Sequence, residues 1–564
     1  MDILVTEKFS LLDYSFFVLV FFVSAGIGLY YAIQSRRVNT VDQYLLGGRK
    51  MGLLPVCCSL VATSVSGFSM IGLPAESYAY GTYTWIYSIQ ELIVAALLHF
   101  IFLEMFFELK LTSCFKYFEM RFNRKVRLLA SGIFLFCGLL YLPVTVYTPA
   151  LTFQRVTGVN VYVIVIVLSV LCASYTAIGG FKAVVWTDVF QLVLMISSLI
   201  IVVVVGTQGV GGIDNVIQAA KRGQRIVIAY DNLNSRTSAF GMILSNTLII
   251  IYQSGFNQAS LQRYLSLSDI VKMKISVWFV ALTFTLIVFL VNFLGPVMYA
   301  NYETCDPLSA GLIKKMDQIL PHFVQEKASL FPGFNGIFIA GVFSASLSTT
   351  SSYLNAMSGI IYEDFISHRF PNLSDRTVNR ILKNLVLVLG VLQIAFVFFI
   401  QMMGTIFQIT VQCVALQCST MITLFFLGML FPKANSKGAT VGALTCMIGV
   451  LSLIIGGLNN KPEPTLPLRT DGCEHQLNIT SIPSQGLENS EDDTFWLFRL
   501  NFVYYTLVGT VIGITVGYLT SLATGGERVK NQKLLAVFLR VHEPREEEMR
   551  LRRKNTAESV DMCD

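Results

Sequence analysis

At 564 residues, 54% hydrophobic and only 13% charged, with a mean hydropathy of +0.63, the chain excludes a soluble domain of this size and reads as a polytopic membrane protein. Its net charge of +6 gathers in a few loops and in the C-terminal stretch REEEMRLRRKN, so it gives no argument for nucleic acid. That stretch is mixed in sign and reads as a solvated helix end or arm, with anionic lipid as the weaker alternative.

A helix needs about 20 apolar residues to cross a bilayer, and about thirteen stretches qualify. They lie near 13–33, 52–77, 82–106, 128–151, 160–178, 183–206, 238–258, 275–298, 335–360, 384–403, 405–431, 439–457 and 499–521. The first ends in Arg36 and Arg37 rather than in a small-residue cleavage site, so it is expected to be a retained span. An odd number of spans puts the termini on opposite sides. With the N-terminus outside and the tail inside, about 29 of the 41 Lys and Arg fall on the cytoplasmic side, as the positive-inside rule requires. The eleven Cys show no CxxC or Cys/His ligand spacing, and most read as small apolar fillers. Cys305 and Cys473 fall in loops this topology places outside, where a disulfide is permitted. Of two glycosylation sequons, Asn478 lies in the outer loop 458–498 and is the expected glycan site, whereas Asn372 falls inside.

In the second stretch, Ser59–Glu76 reads SLVATSVSGFSMIGLPAE: hydroxyls, Gly67, Gly72 and Pro74 interrupt an apolar segment near its middle. Unwound backbone in hydrocarbon is tolerable only where its freed N–H and C=O groups face protein, a cavity or an ion. Broken helices at the bilayer midplane are how secondary transporters build substrate and cation sites, although a small-residue packing face has the same composition. In the next stretch, Gln90 and Glu91 are polar within a span, so Glu91 must face the bundle interior or a partner. The stretches 128–151 and 160–178 are nearly all apolar and read as scaffold.

The run Gly179-Gly180-Phe181-Lys182-Ala183-Val184-Val185-Trp186-Thr187-Asp188-Val189-Phe190-Gln191 places two glycines at a tight turn and an acid inside the following span. Asp188, with Thr187 and Gln191 near it, is a cation-path candidate; the alternative is a carboxylate paired with a basic residue of an adjacent loop. The stretch 238–258 repeats the interrupted pattern as Tyr252-Gln253-Ser254-Gly255-Phe256-Asn257-Gln258, five spans after the first. Two interrupted helices at corresponding places point to an inverted repeat with a site between them. In 335–360, Ser344, Ser348, Ser351, Ser352 and Asn355 recur at helical spacing, with Thr349 and Thr350 beside them. Such neutral hard oxygens suit a weakly held monovalent cation, whereas a transition metal wants His, Cys or carboxylate. Helix–helix contact is the other use of such a stripe.

GGFKAVVWTDVFQ resembles the signature of the sodium/solute symporter family, and the Ser-Leu-Ser-Thr-Thr-Ser-Ser run and Asn257-Gln258-x-x-x-Gln262-Arg263 are similar too. The resemblance covers roughly residues 10–525, and Gly72-Leu73-Pro74-Ala75-Glu76 is similar to the branch of iodide, multivitamin and monocarboxylate carriers. It implies an all-α polytopic membrane protein with the LeuT-like inverted five-plus-five helix repeat and no enzymatic activity. The expected units are an N-terminus and extra helix (1–37), two five-helix repeats (38–206 and 207–431), two further helices (432–524) and a cytoplasmic tail (525–564). It implies a sodium site formed by backbone carbonyls of Ala62, Val65 and Ala345 and hydroxyls of Ser348 and Thr349, with Asp188 on the release path. Ser66, Gln191, Ser351, Ser352 and Asn355 are candidates for that path or a second sodium.

Substrate chemistry follows from an absence: no Lys or Arg falls in the middle of a span. An anion would then be held by half-helix N-termini near Gly67 and Gly255, by bound sodium, and by donors such as Ser69, Gln90, Tyr252, Gln253 and Gln412. Each of these five reads equally well as a packing residue. The expected function is plasma-membrane symport of sodium with small monocarboxylates such as lactate, pyruvate or short fatty acids, by alternating access. No cofactor is expected beyond the coupling sodium ions, and the bilayer is the expected surrounding. Biotin and pantothenate, or iodide, are alternatives within the branch; a substrate sensor or a sodium-conducting protein is the alternative outside it.

Overall fold

In hydrocarbon every backbone N–H and C=O must be satisfied within the segment, so apolar runs of this length fold as helices. The structure, a computed structural model, describes residues 10–35, 40–109, 111, 113–227, 235, 237–327, 332–400, 406–457, 463–473, 496–526, 529 and 531–540. Among them there is no strand, and eleven helices are long and apolar enough to cross a bilayer. The elements used below are α1 (Leu11–Ser35), α2 (Leu53–Ser64), α3 (Gly67–Tyr80), α4 (Thr82–Leu109), α5 (Arg124–Thr157), α6 (Val161–Gly209) and α7 (Ala239–Phe256). They continue with α8 (Gln258–Tyr264), α9 (Ile270–Asn301), α10 (Phe334–Ile360), α11 (Asp375–Ile400), α12 (Ile406–Leu430), α13 (Ser436–Gly456) and α14 (Tyr505–Ala523).

The thirteen expected stretches differ from the eleven long helices in two places, each with a physical reason. Continuous α6 would reach about 70 Å, against a hydrocarbon core of about 30 Å. Gly180, at φ 62° and ψ −159°, bends it, so the run supplies two spans. A Cβ there would sit 2.8 Å from the Tyr44 ring, at a φ that L side chains rarely adopt, so glycine is required. The other difference is the stretch 52–77, where α2 and α3, of 12 and 14 residues and each too short alone, follow one another across the break at Val65 and Ser66.

α10 is the axis of the bundle: every residue from Phe334 to Ile360 except Ile337 is buried. It packs on α6, α5, α1, α11, α2 and α3. α1 lies against α6 and α10 at the periphery, while α13 and α14 pair through Gly438, Gly442, Gly513 and Gly517 and rest on α12. At one end of the bundle, Cys305 and Cys473 are bonded with Cα atoms 5.0 Å apart. The strap 463–473 is tied down there by Leu466 N–H to Ala79 O (2.9 Å), Arg225 Nη2 to Pro467 O (2.9 Å) and Asp306 N–H to Arg469 O (2.8 Å). The expected glycan site Asn478 and the tail from 541 lie outside the described residues.

Candidate functional site

The first break falls at Val65 (φ −98°, ψ 113°) and Ser66 (φ −105°, ψ 169°), and Gly67 opens α3. The last carbonyls of a helix have no partner within it, so those of α2 need donors from elsewhere. α10 supplies them. Ser348 Oγ lies 2.8 Å from Ala62 O and 3.0 Å from Ala345 O. Thr349 Oγ1 lies 3.1 Å from Ala345 O and 3.4 Å from both Thr63 O and Val65 O. The five residues named for sodium therefore converge, all buried, on one neutral cluster of oxygens. The close approach of α10 to α6 depends on Gly341, where a Cβ would meet Ser198 Oγ at 2.0 Å.

Toward the Gly180 bend lies a second, charged cluster. Asp188 Oδ2 accepts from Ser59 Oγ at 2.5 Å and from Arg263 Nη2 at 3.0 Å, with both ends of the ion pair buried. Arg263 Nε also donates to Ser59 Oγ at 2.6 Å, Nη1 to Ala259 O at 2.7 Å, and Nη2 to Ser352. Sequence reading places Arg263 at the end of a span. The short helix α8, fully buried after the second break, carries it into the bundle interior, so this guanidinium is a buried cation the reading missed. Asp188 is thus the carboxylate paired with a neighbouring basic group. Its Oδ1, both amide atoms of Gln191, Ser344 Oγ and Asn355 Oδ1 are nonetheless buried without a hydrogen-bond partner among the described residues. Ser351 Oγ donates to Ser348 O at 3.1 Å, and Asn355 Nδ2 to Gln262 Oε1 at 3.4 Å. Ser66 stands apart from this cluster, on the cavity described next.

The second break is Asn257 (φ −64°, ψ 134°), two residues past Gly255. Its Oδ1 caps α8 by accepting from Ala259 N at 3.0 Å, and its Nδ2 donates to Gln253 Oε1 at 2.7 Å and Tyr353 Oη at 2.9 Å. Between the two breaks is a cavity of about 190 Å³. Ser66, Ser69, Gln253, Asn257, Tyr141 and Tyr353 line it, and Tyr83, Tyr87 and Glu91 form its α4 wall.

Three of the five residues named as substrate donors do not line it. Gln90 directs Nε2 to Met242 O and Ile243 O, both at 2.9 Å, and Oε1 accepts from Asn246 Nδ2 at 2.7 Å. Tyr252 is buried, 3.3 Å from Gln417 Nε2, and Gln412 is buried with its Nε2 unpartnered among the described residues. Tyr83, Tyr87, Tyr141 and Tyr353 were missed. The i, i+4, i+8 spacing of Tyr83, Tyr87 and Glu91 was a usable signal for one shared face; Tyr141 and Tyr353 carry none.

Comparison with known proteins shows the family and the fold. The family model "Sodium:solute symporter family" matches residues 44–446. The mouse (Mus musculus) sodium-coupled monocarboxylate transporter 2 is 34% identical over 532 residues, 93% of this chain and 86% of that protein. Human (Homo sapiens) sodium-coupled monocarboxylate transporter 1 is 32% identical, covering 92% and 88%. The rabbit (Oryctolagus cuniculus) sodium-dependent multivitamin transporter is 32% identical, covering 93% and 84%. Among solved structures, a Na+-coupled sialic acid symporter in a substrate-bound outward-open state superposes with a TM-score of 0.75 at 21% identity, over 93% of this chain and 100% of that one. That likeness carries the fold, the LeuT-like inverted five-plus-five arrangement. The chain belongs to the sodium:solute symporter family and is a sodium-coupled symporter, not an enzyme.

Proposed function

We propose that the protein carries small monocarboxylates together with sodium across the plasma membrane by alternating access, with the N-terminus outside and the tail inside. The observation that carries this reading is that the neutral oxygen cluster and the cavity share the first break: Val65 O faces Thr349 while Ser66 lines the cavity. In this reading Ala62, Val65, Ala345, Ser348 and Thr349 ligate sodium, each hydroxyl turning its proton away from the carbonyls when the cation arrives. Asp188, with Gln191 and with Asn355, whose Oδ1 has no partner among the described residues, lies on the release path or at a second cation position. Ser69 and Gln253 help hold the substrate.

Sodium bound at the break favours the outward-open state by its differential affinity for it. A cavity without Lys, Arg or His among its described lining residues leaves hydroxyl and amide donors, helix termini and that sodium to hold the anion. Two sodium ions with one anion would move one net charge, which gains about 2.3 kcal/mol per 100 mV. The monocarboxylate relatives favour lactate-like substrates, and the multivitamin relative supports biotin or pantothenate as a second reading. Voltage-clamp currents in expressing cells, with lactate, biotin and iodide applied in sodium and then in choline, test both. A sodium-dependent inward current to lactate is expected. A current to biotin or iodide alone reassigns the substrate, and silence of all three with protein at the surface rejects electrogenic transport of these anions.

A further inference from the structure

We propose that Glu91 is a proton-binding site within the substrate cavity, and that a carboxylate substrate binds there together with a proton on Glu91. This rests on the reading of the cavity as an anion site. Glu91 is 4% exposed, lines the cavity, and accepts one hydrogen bond, from Ser254 Oγ at 3.1 Å on Oε1. Ser254 lies three residues before the second break, so the carboxyl is held beside the broken helix. Among the described residues lining the cavity no other side chain carries a charge; the nearby buried carboxylate is Glu76 of α3, which accepts from the Tyr83 hydroxyl. Tyr83 and Tyr87 share its helix face; Tyr264 of α8 is an electrostatic neighbour, with Cys57 of α2 beyond it. α9 presents Phe284 to the cavity, and α7 presents Asn246, Ile249 and Ile250. Arg263, adjacent in sequence to Tyr264, is committed to Asp188.

A carboxylate so placed has one hydroxyl in exchange for its hydration and, among the described residues lining the cavity, no cation to balance it. When an anionic substrate enters the same cavity, two like charges share a low-dielectric space, and such pairs bind a proton rather than both ionising. The step balances as Glu91 carboxylate, one proton from water and the substrate carboxylate giving a carboxylic acid that donates its O–H to the substrate oxygen. The acid thereby adds a carboxylic O–H to the hydroxyl and amide donors that line the cavity. Release of substrate on the other side releases the proton with it, so the anion moves with a proton as well as sodium.

Calorimetry of pyruvate binding to the purified full-length protein in saturating sodium decides this, run in two buffers of different ionisation heat. Pyruvate stays ionised across the working range. The wild type is expected to take up about one proton per pyruvate, and its half-saturating pyruvate concentration to fall about fivefold or more from about pH 8 to pH 6. Glu91→Gln, whose amide supplies the donor, is expected to bind with no proton uptake and no pH dependence. Wild-type binding without proton uptake overturns the inference, as does a Glu91→Gln variant that keeps the pH dependence. Weaker binding by Glu91→Gln at all pH values also overturns it, and makes Glu91 an acceptor for a substrate donor. Failure of pyruvate and every other small anion to bind at any pH instead removes the anion reading of the cavity, and this inference falls with it.

Discussion

The two helix breaks occupy corresponding places in the inverted repeat but are satisfied in opposite ways. At Val65–Ser66 the freed carbonyls look outward to hydroxyls of α10, whose protons can turn elsewhere. At Asn257 the break is capped by its own side chain, which accepts from the following helix, ties down Gln253 beside it and donates to Tyr353 of α10. A break that borrows its partners can exchange them for a cation. A break that supplies its own partners is a fixed wall. On the proposed reading this difference puts the cation at the first break and the substrate in the cavity between the two, with the Asp188–Arg263 pair as a strut between α6 and α8.

The strut offers the largest expected effect. Arg263→Ala leaves Asp188 buried and unpaired, which costs about 3–5 kcal/mol; the purified protein should unfold at a much lower temperature or fail to reach the surface. Replacing both partners by Leu and Met should be milder than either single change. An unaltered unfolding temperature for Arg263→Ala would show that the strut is not there. At the borrowing break, Ser348→Ala with Thr349→Ala should raise the sodium concentration for half-maximal uptake about tenfold or more, each tenfold being about 1.4 kcal/mol. An unchanged sodium dependence would break the comparison.

At the self-capped break, Asn257→Ala removes a cap worth about 1–2 kcal/mol. It should raise the half-saturating substrate concentration in uptake assays while leaving sodium dependence alone. The smallest effect separates two glutamines. Gln90→Ala should cost about 1 kcal/mol of stability with substrate affinity unchanged, whereas Gln253→Ala should weaken substrate binding in the same assay.

The fold was legible because helix breaks are written in local chemistry: glycine, proline and clustered hydroxyls within apolar runs. The hydroxyl stripe of α10 was legible for the same reason, since Ser344, Ser348, Ser351, Ser352 and Asn355 repeat at the helical period. The break positions were displaced by one or two residues, because Gly67 and Gly255 permit unwinding while the partners on α10 and the Asn257 cap decide where it occurs. Arg263 was not legible as an interior cation. Its burial depends on how α8 packs after the second break, and nothing local to Gln262-Arg263-Tyr264 encodes that packing. The glutamines show the same limit: Gln90, Gln253 and Gln412 are one residue type in similar apolar runs, and only packing directs one to backbone carbonyls, one to the cavity and one to neither.

The most direct test of the contrast between the breaks needs no substrate. Thermal unfolding of the purified protein would be followed in sodium chloride and in choline chloride at equal ionic strength, since a ligand that binds only the folded state raises its stability with concentration. The account predicts a sodium-dependent rise in unfolding temperature for the wild type and for Asn257→Ala, and its loss in Ser348→Ala/Thr349→Ala. A double variant that keeps the sodium-dependent rise would contradict the assignment of the cation to the first break.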